Sequence, residues 1–243
     1  MPTPIVAATC PVPQCNLAPR DVEGLVADLA TYVDAFGPDF SRKDQTAWAH
    51  RYLQGLVSAH PRKSIEPMAL VHGFPIRSMQ AFIGESPWRT APLVQRHQQL
   101  VAQTLGEDDA VILVDESGMP KQGQHSAAVA HQYCGALGKL ANCQVGVYLG
   151  YASRKGYTLL AGQLFVPEGW FADDHATVRD EVGMPDNVTF KTKPELAVDL
   201  VREVLTHKAV PARWLAADAL YGDSPAFRDA IADVGLWYFT EVA

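Results

Sequence analysis

Nothing in this chain approaches the run of roughly 20 apolar residues that a membrane-spanning helix needs. The opening stretch from Met1 to Cys10 carries no basic cluster and no long apolar core, so a secretory signal is not expected. Cysteine is scarce, at 4 in 243 residues, too few for a disulfide framework. Cys10, Cys15, Cys134 and Cys143 are therefore expected as reduced thiols in a cytoplasmic protein. A basic excess is missing as well. The formal net charge is −7, whereas proteins that bind duplexes usually present a basic surface. What remains is ordinary globular composition, 48% hydrophobic and 19% charged, with room for one large domain or two smaller ones.

The average charge hides an asymmetry. From Arg42 to Arg96 there are eight Lys or Arg against three acids, whereas Asp21 to Asp39 holds five acids and no base. The acidic excess returns after residue 108. A basic middle beside an acidic C-terminal half suits a DNA-contacting module next to a metal-binding module. Residues 1–19, with five prolines and no periodicity, read as a loose arm. Residues 20–107 read as an all-helical module. Apolar stripes run through Val22, Leu25, Leu29, Val33 and Phe36, then Trp48, Tyr52, Leu53 and Leu56, then Leu93, Val94, Leu100, Val101 and Leu105. Gly37-Pro38 stops the first helix, and Asp44 is a candidate N-cap for the second. His97, on the third stripe, is expected as a satisfied core histidine. Between the second and third stripes, 64–72 and 76–83 form two short helices joined at Gly73. That pairing could place Arg77, Ser78 and Gln80 against a DNA groove.

Residues 108–243 change pattern. Ala110–Val114 is an unbroken apolar run capped by Asp115, and Arg213–Ala217 is another capped by Asp218. Such runs suit strands covered on both faces, and the strand tips of α/β sheets are where sites form. Two carboxylates brought together there repel unless a cation or a shared proton separates them, and a divalent metal is the natural expectation. Segments 145–152 and 157–166 flank Ser153-Arg-Lys-Gly156 as a hairpin. Residues 167–193 read as an irregular insertion. Pro194-Glu195 opens a helix, Ser224 caps another that stops at Gly235, and Leu236–Thr240 is a last strand whose aromatic run, Trp237 to Phe239, reads as core. The resulting order is β-β-β-α-β-α-β. On a ribonuclease H-like template, Asp115 and Asp218 would face each other across one strand spacing, about 4.8 Å. His125, His131, Cys134 and Cys143 match no paired zinc-ligand spacing, and buried thiols are the expectation there.

The blocks Asp115-Glu-Ser-Gly-Met-Pro-Lys-Gln-Gly123, Gln132-Tyr-Cys-Gly135, Phe190-Lys-Thr-Lys-Pro-Glu-Leu-Ala197 and Ala217-Asp-Ala-Leu-Tyr-Gly-Asp223 resemble the DDE transposases of insertion-sequence family 701. Arg62-Lys-Ser-Ile-Glu-Pro67 resembles that family's helical region. The resemblance implies an α+β chain, with an all-helical DNA-binding domain before a ribonuclease H-like catalytic domain. It implies DNA strand cleavage and transfer at transposon ends and target, on two Mg²⁺ (or Mn²⁺) ions held by two Asp and one Glu. Asp115 and Asp218 match the two Asp as catalytic and metal residues. The helical Glu has no counterpart, so the domain is expected to be incomplete at its C-terminus; Glu241, at the end of the last strand, is not assigned that role. A homo-oligomer when complete, no membrane and a nucleoid-associated cytoplasmic location follow from the same resemblance. Arg42, Lys43, Arg51, Arg62, Lys63, Arg77, Lys121 and Lys139 are the candidate DNA contacts, and Glu116 a candidate supporting group. Two other readings stand beside this one. A repurposed transposase would bind DNA without cutting it. A small-molecule phosphatase would use Asp115 as nucleophile, but that pattern needs an acid where Ser117 stands.

Overall fold

A computed structural model of the chain describes residues 18, 20, 23–123, 125–207 and 210–242. Most of the N-terminal arm, with Cys10 and Cys15, and the start of the first stripe at Val22 lie outside the described residues. The chain divides into two compact units, 1–89 and 90–243.

The first unit is helical: α1 (Leu25–Asp34), α2 (Lys43–Val57), α3 (Ile65–His72) and α4 (Ile76–Gly84). Its core gathers Val33, Ala49 and Phe82, with Leu29, Phe40, Trp48, Tyr52, Leu53 and Trp88 packed around them. Trp88 stacks on Phe82 at 5.9 Å and donates its indole N–H to the Phe82 carbonyl at 2.8 Å. Gly73 closes α3 at φ 67, a conformation that favours glycine. Asp44 is not the cap of α2. The helix starts one residue earlier, Gln45 Oε1 accepts from the Arg42 N–H at 3.1 Å, and Asp44 pairs instead with the Arg42 guanidinium.

The second unit begins with α5 (Thr90–Leu105). Its stripe had placed it with the helical module, yet it packs along β4 (Gly156–Phe165), with Val101 in the sheet's core. His97 Nε2 lies 2.6 Å from the Leu159 carbonyl. A stripe records that a face is buried, not what covers it.

Six strands form one mixed sheet: β1 (Val111–Pro120), β2 (Ala130–Cys134), β3 (Lys139–Ser153), β4, β5 (Trp214–Ala217) and β6 (Trp237–Thr240). The path runs β2-β3-β1-β5-β6, with β4 also paired to β3. β1 is antiparallel to β3 and parallel to β5, and β5 is parallel to β6. The β3–β4 hairpin turns at Ser153–Gly156 as expected, with Gly156 at φ 151. Two differences from the expected order have a common cause. β2 is an added strand before the hairpin, and β1 does not stop at Val114 but continues to Pro120. Both are held by the long β3, which pairs β2 through 139–143 and β1 through 143–152.

The helices α6 (Ala176–Glu181), α7 (Lys193–Thr206), α8 (Ala219–Gly222) and α9 (Pro225–Asp233) complete the unit. Leu196, Ala197, Leu200, Val201 and Val204 of α7, with Phe227 and Ile231 of α9, bury against Ile112, Val114, Leu149 and Leu215 of the sheet. Spacings of three and four residues put them on one helical face. Trp237, Tyr238 and Phe239 are not core: they are 62%, 41% and 76% exposed. Among the described residues β6 pairs with a strand on one side only.

α7 is anchored by a reciprocal cap. Thr192 N–H donates to Glu195 Oε2 at 2.7 Å, and Glu195 N–H donates to Thr192 Oγ1 at 3.4 Å. The bonded carboxylate is held below its usual pKa by the Thr192 backbone and hydroxyl. Thr192→Ala is expected to remove about 1 kcal/mol of stability, lowering Tm by about 2–4 °C in a unit of this size. Thermal melting followed by far-UV circular dichroism checks it, and an unchanged midpoint would count against the cap.

Candidate active site

Register brings the two expected carboxylates together. Pairing of β1 with β5 ends at Val114↔Ala217, and pairing of β5 with β6 ends at Ala217↔Thr240. The next residue on each of the three strands is an acid: Asp115, Asp218 and Glu241. Neighbouring parallel strands lie about 4.8 Å apart and present matching rows on the same face. All three acids line one open groove of about 560 Å³, floored by Leu113, Tyr148, Leu159 and Phe239. Leu113 is exposed where Ile112 and Val114 are buried under the helices. The groove therefore lies on the sheet face away from α7 and α9.

Asp115 is mid-strand, at the point where its parallel partner ends and its antiparallel partner continues. Its Oδ1 accepts the Glu116 N–H at 2.7 Å. Asp218 caps α8, with Oδ1 accepting the Leu220 N–H at 3.0 Å. Both side chains are exposed, and among the described residues neither pairs with a Lys or Arg. Each thus keeps one carboxylate oxygen directed to no protein donor. Two hard oxygen ligands on an open rim suit Mg²⁺ or Mn²⁺, which keep waters and take substrate phosphate as further ligands. Among the described residues no three His, Cys, Asp or Glu converge tightly enough to hold an ion by themselves. That statement covers Glu241 as well as His125, His131, Cys134 and Cys143.

The next residue of β1 faces the other way. Glu116 Oε1 accepts from Lys193 Nζ at 2.8 Å, and Oε2 accepts from the Tyr221 hydroxyl at 2.9 Å. Tyr221 is fully buried, and burial, then the Glu116 charge beside it, pushes its pKa up. Asp115 and Asp218 add to that upward push, so both acids lie near the Tyr221 hydroxyl. Lys193 and Tyr221 lie in two of the blocks that carry the resemblance, but no local pattern joins either of them to Glu116. Glu241 is visible in the sequence at the end of the last strand, but only the register places it in the row with Asp115 and Asp218.

The candidate cations are distributed over both units. In the helical unit, Arg42 pairs with Asp44 and Arg77 with Glu85, each at 2.8 Å. Arg51 lies over the Trp48 ring at 4.4 Å, and Lys63 donates to the carbonyls of Ser58 and Gly55. Lys43 and Arg62 are exposed, and their side chains have no partner among the described residues. Arg77 and Gln80 are exposed on α4, with Ser78 half-buried. In the second unit, Lys121 follows β1, where its N–H bonds the Asn142 carbonyl at 2.9 Å, and Lys139 opens β3. His125 pairs with Glu181 at 3.3 Å. Cys134 and Cys143 are buried, and burial together with its neighbour Cys134 raises the Cys143 thiol.

Among the described residues no helix is long and apolar enough to cross a membrane. A family model described as "DDE superfamily endonuclease" matches residues 35–243. A curated protein of Microchaete diplosiphon, "Probable transposase for insertion sequence element IS701", is 29% identical over 179 residues. The alignment covers 72% of this chain and 43% of that protein. The chain thus spans less than half the length of that relative.

Proposed function

The chain belongs to the DDE superfamily endonucleases, and from that premise we propose that it is a DNA transposase of the insertion-sequence 701 type. The observation that carries the reading is the register: Asp115 and Asp218 stand one residue past Val114↔Ala217 on adjacent parallel strands and open on one groove. The antiparallel hairpin beside parallel β1, β5 and β6 supports a ribonuclease H-like sheet for the catalytic unit, with the helical residues before it as a DNA-binding module.

Asp115 and Asp218 would hold the divalent cation, each through the oxygen that its backbone bond leaves over. When bound, the ion supplies Lewis-acid activation of water or a 3′-hydroxyl and stabilises the leaving oxygen. The protein's part is placement. Asp218, fixed as the cap of α8, cannot swing away without giving up the Leu220 bond. Lys121 lies six residues along β1 from Asp115, about 20 Å at strand rise, in position to meet phosphate beyond the cut. Lys139 lies toward the same end of the sheet. On the helical unit, Lys43, Arg62, Arg51, Lys63, Arg42 and Arg77 are the proposed backbone contacts, the first two being unengaged.

Incubation of the chain with supercoiled plasmid in Mg²⁺, with EDTA as control, tests the reading. Metal-dependent nicking supports it; salt-sensitive binding without nicking would favour the DNA-binding reading instead. Lys43→Ala and Arg62→Ala are each expected to weaken duplex binding about equally on all sequences. Each should also lower the slope of log K against log salt by about 1. A fluorescence-anisotropy salt titration reads this, and an unchanged slope would remove the residue from the interface.

A further inference from the structure

We infer that Glu116, Lys193 and Tyr221 form a clamp that sets the separation of the Asp115 and Asp218 carboxylates, an inference that rests on the two-carboxylate reading above. Strand pairing between β1 and β5 ends one residue before both acids. Among the described residues each acid's side chain then bonds only to backbone of its own segment. The hydrogen bond across the gap between β1 and α8 is Tyr221 to Glu116. Glu116 directly follows Asp115, and Tyr221 lies three residues after Asp218, so this bond ties the two site-bearing segments directly behind the groove.

The bond is built to be rigid. Tyr221 is wholly buried with its ring 5.6 Å from Phe227, and a buried hydroxyl must find an acceptor. The acceptor is a carboxylate, and a charged acceptor makes a stronger bond than a neutral one. That carboxylate is itself partly buried, with side-chain exposure of 23%, and Lys193 at 20% neutralises it. Lys193 is the first residue of α7, and its ammonium sits 5.7 Å from the Phe165 ring. One carboxylate thus joins β1, α7 and α8. Both its oxygens are engaged on the helix side of the sheet, so Glu116 is a positioning residue and not a ligand.

The test is equilibrium Mn²⁺ binding to the 243-residue chain by titration calorimetry, well below the Tm measured on each variant. Tyr221→Phe leaves charge and ring in place and removes only the hydroxyl. It is expected to weaken Mn²⁺ binding about 10-fold, the low end of what outer-shell losses cost at a metal site, because Tyr221 reaches the carboxylates through Glu116. Lys193→Met deletes a positive charge near a cation site, which by electrostatics alone would tighten binding. The clamp predicts weakening of about 10-fold or more, with Lys193→Arg restoring most of it. Should Tyr221→Phe fail to fold, the Lys193 pair decides alone. A lowered Tm with Mn²⁺ affinity within about 2-fold of the unaltered chain overturns the clamp and leaves those residues a packing role. Asp115→Asn separates the two failures. If the unaltered chain shows no Mn²⁺ binding that Asp115→Asn removes, the two-carboxylate reading falls and the clamp with it. If that binding is present but indifferent to Tyr221, only the clamp falls.

Discussion

On the proposed two-carboxylate reading, Asp115→Asn is expected to reduce any Mg²⁺-dependent strand cleavage by about 10³-fold or more, because both charge stabilisation and activation depend on a placed cation. The substitution keeps shape and keeps an oxygen for the Glu116 N–H, so the change is one of charge. Without metal, Asp115 and Asp218 repel across one strand spacing. Neutralising one should leave Tm equal or slightly raised in EDTA. Mg²⁺ should raise the Tm of the unaltered chain by mass action and leave that of Asp115→Asn unmoved. Asp218→Asn should behave alike, since Asn can still cap α8. Plasmid nicking and differential scanning calorimetry, each with and without Mg²⁺, read both signatures. Cleavage by either variant within about 10-fold of the unaltered chain would remove these residues from the chemistry.

Gly222→Ala is expected to be the most damaging small substitution near the site. A Cβ there would stand 1.9 Å from the Glu241 carbonyl oxygen and 2.9 Å from Thr240 Cβ. The first obstacle is backbone at the end of β6, so no side-chain rotation relieves it. Either α8 lifts away or the end of β6 moves, and both carry groove residues. Overpacking of this kind costs about 3 kcal/mol, or about 6–12 °C in Tm for a unit of this size. Metal binding should weaken too, because Asp218 heads the displaced turn. Gly84→Ala is the control with the opposite sign. Gly84 ends α4 with nothing within 4 Å of an added Cβ, so alanine should be neutral or stabilising by up to about 1 kcal/mol. If both variants melt like the unaltered chain, α8 does not pack on the end of β6 as described.

Local chemistry in the sequence determined much of this protein. Apolar stripes placed the helices, Gly73, Gly156 and Gly235 marked turns that need positive φ, and Ser224 marked a cap whose hydroxyl accepts the Phe227 N–H. The apolar runs leading to Asp115 and Asp218 were legible because covered strands read as continuous apolar runs, although β1 itself continues to Pro120. These features depend on residues a few positions apart, which is the range over which a sequence pattern carries physical information. Tertiary structure decided the rest. β2, Ala-His-Gln-Tyr-Cys, alternates too briefly to announce itself and exists because β3 is long enough to pair it. Trp237 to Phe239 read as core but stand exposed, because burial is set by what lies over a strand and not by its composition. The row Asp115, Asp218 and Glu241 joins residues more than a hundred positions apart through a register that hydrogen bonds between strands fix. The Glu116–Lys193–Tyr221 cluster joins three elements in the same way. Pairing and packing of distant segments are cooperative properties of the folded sheet, and no local period encodes them.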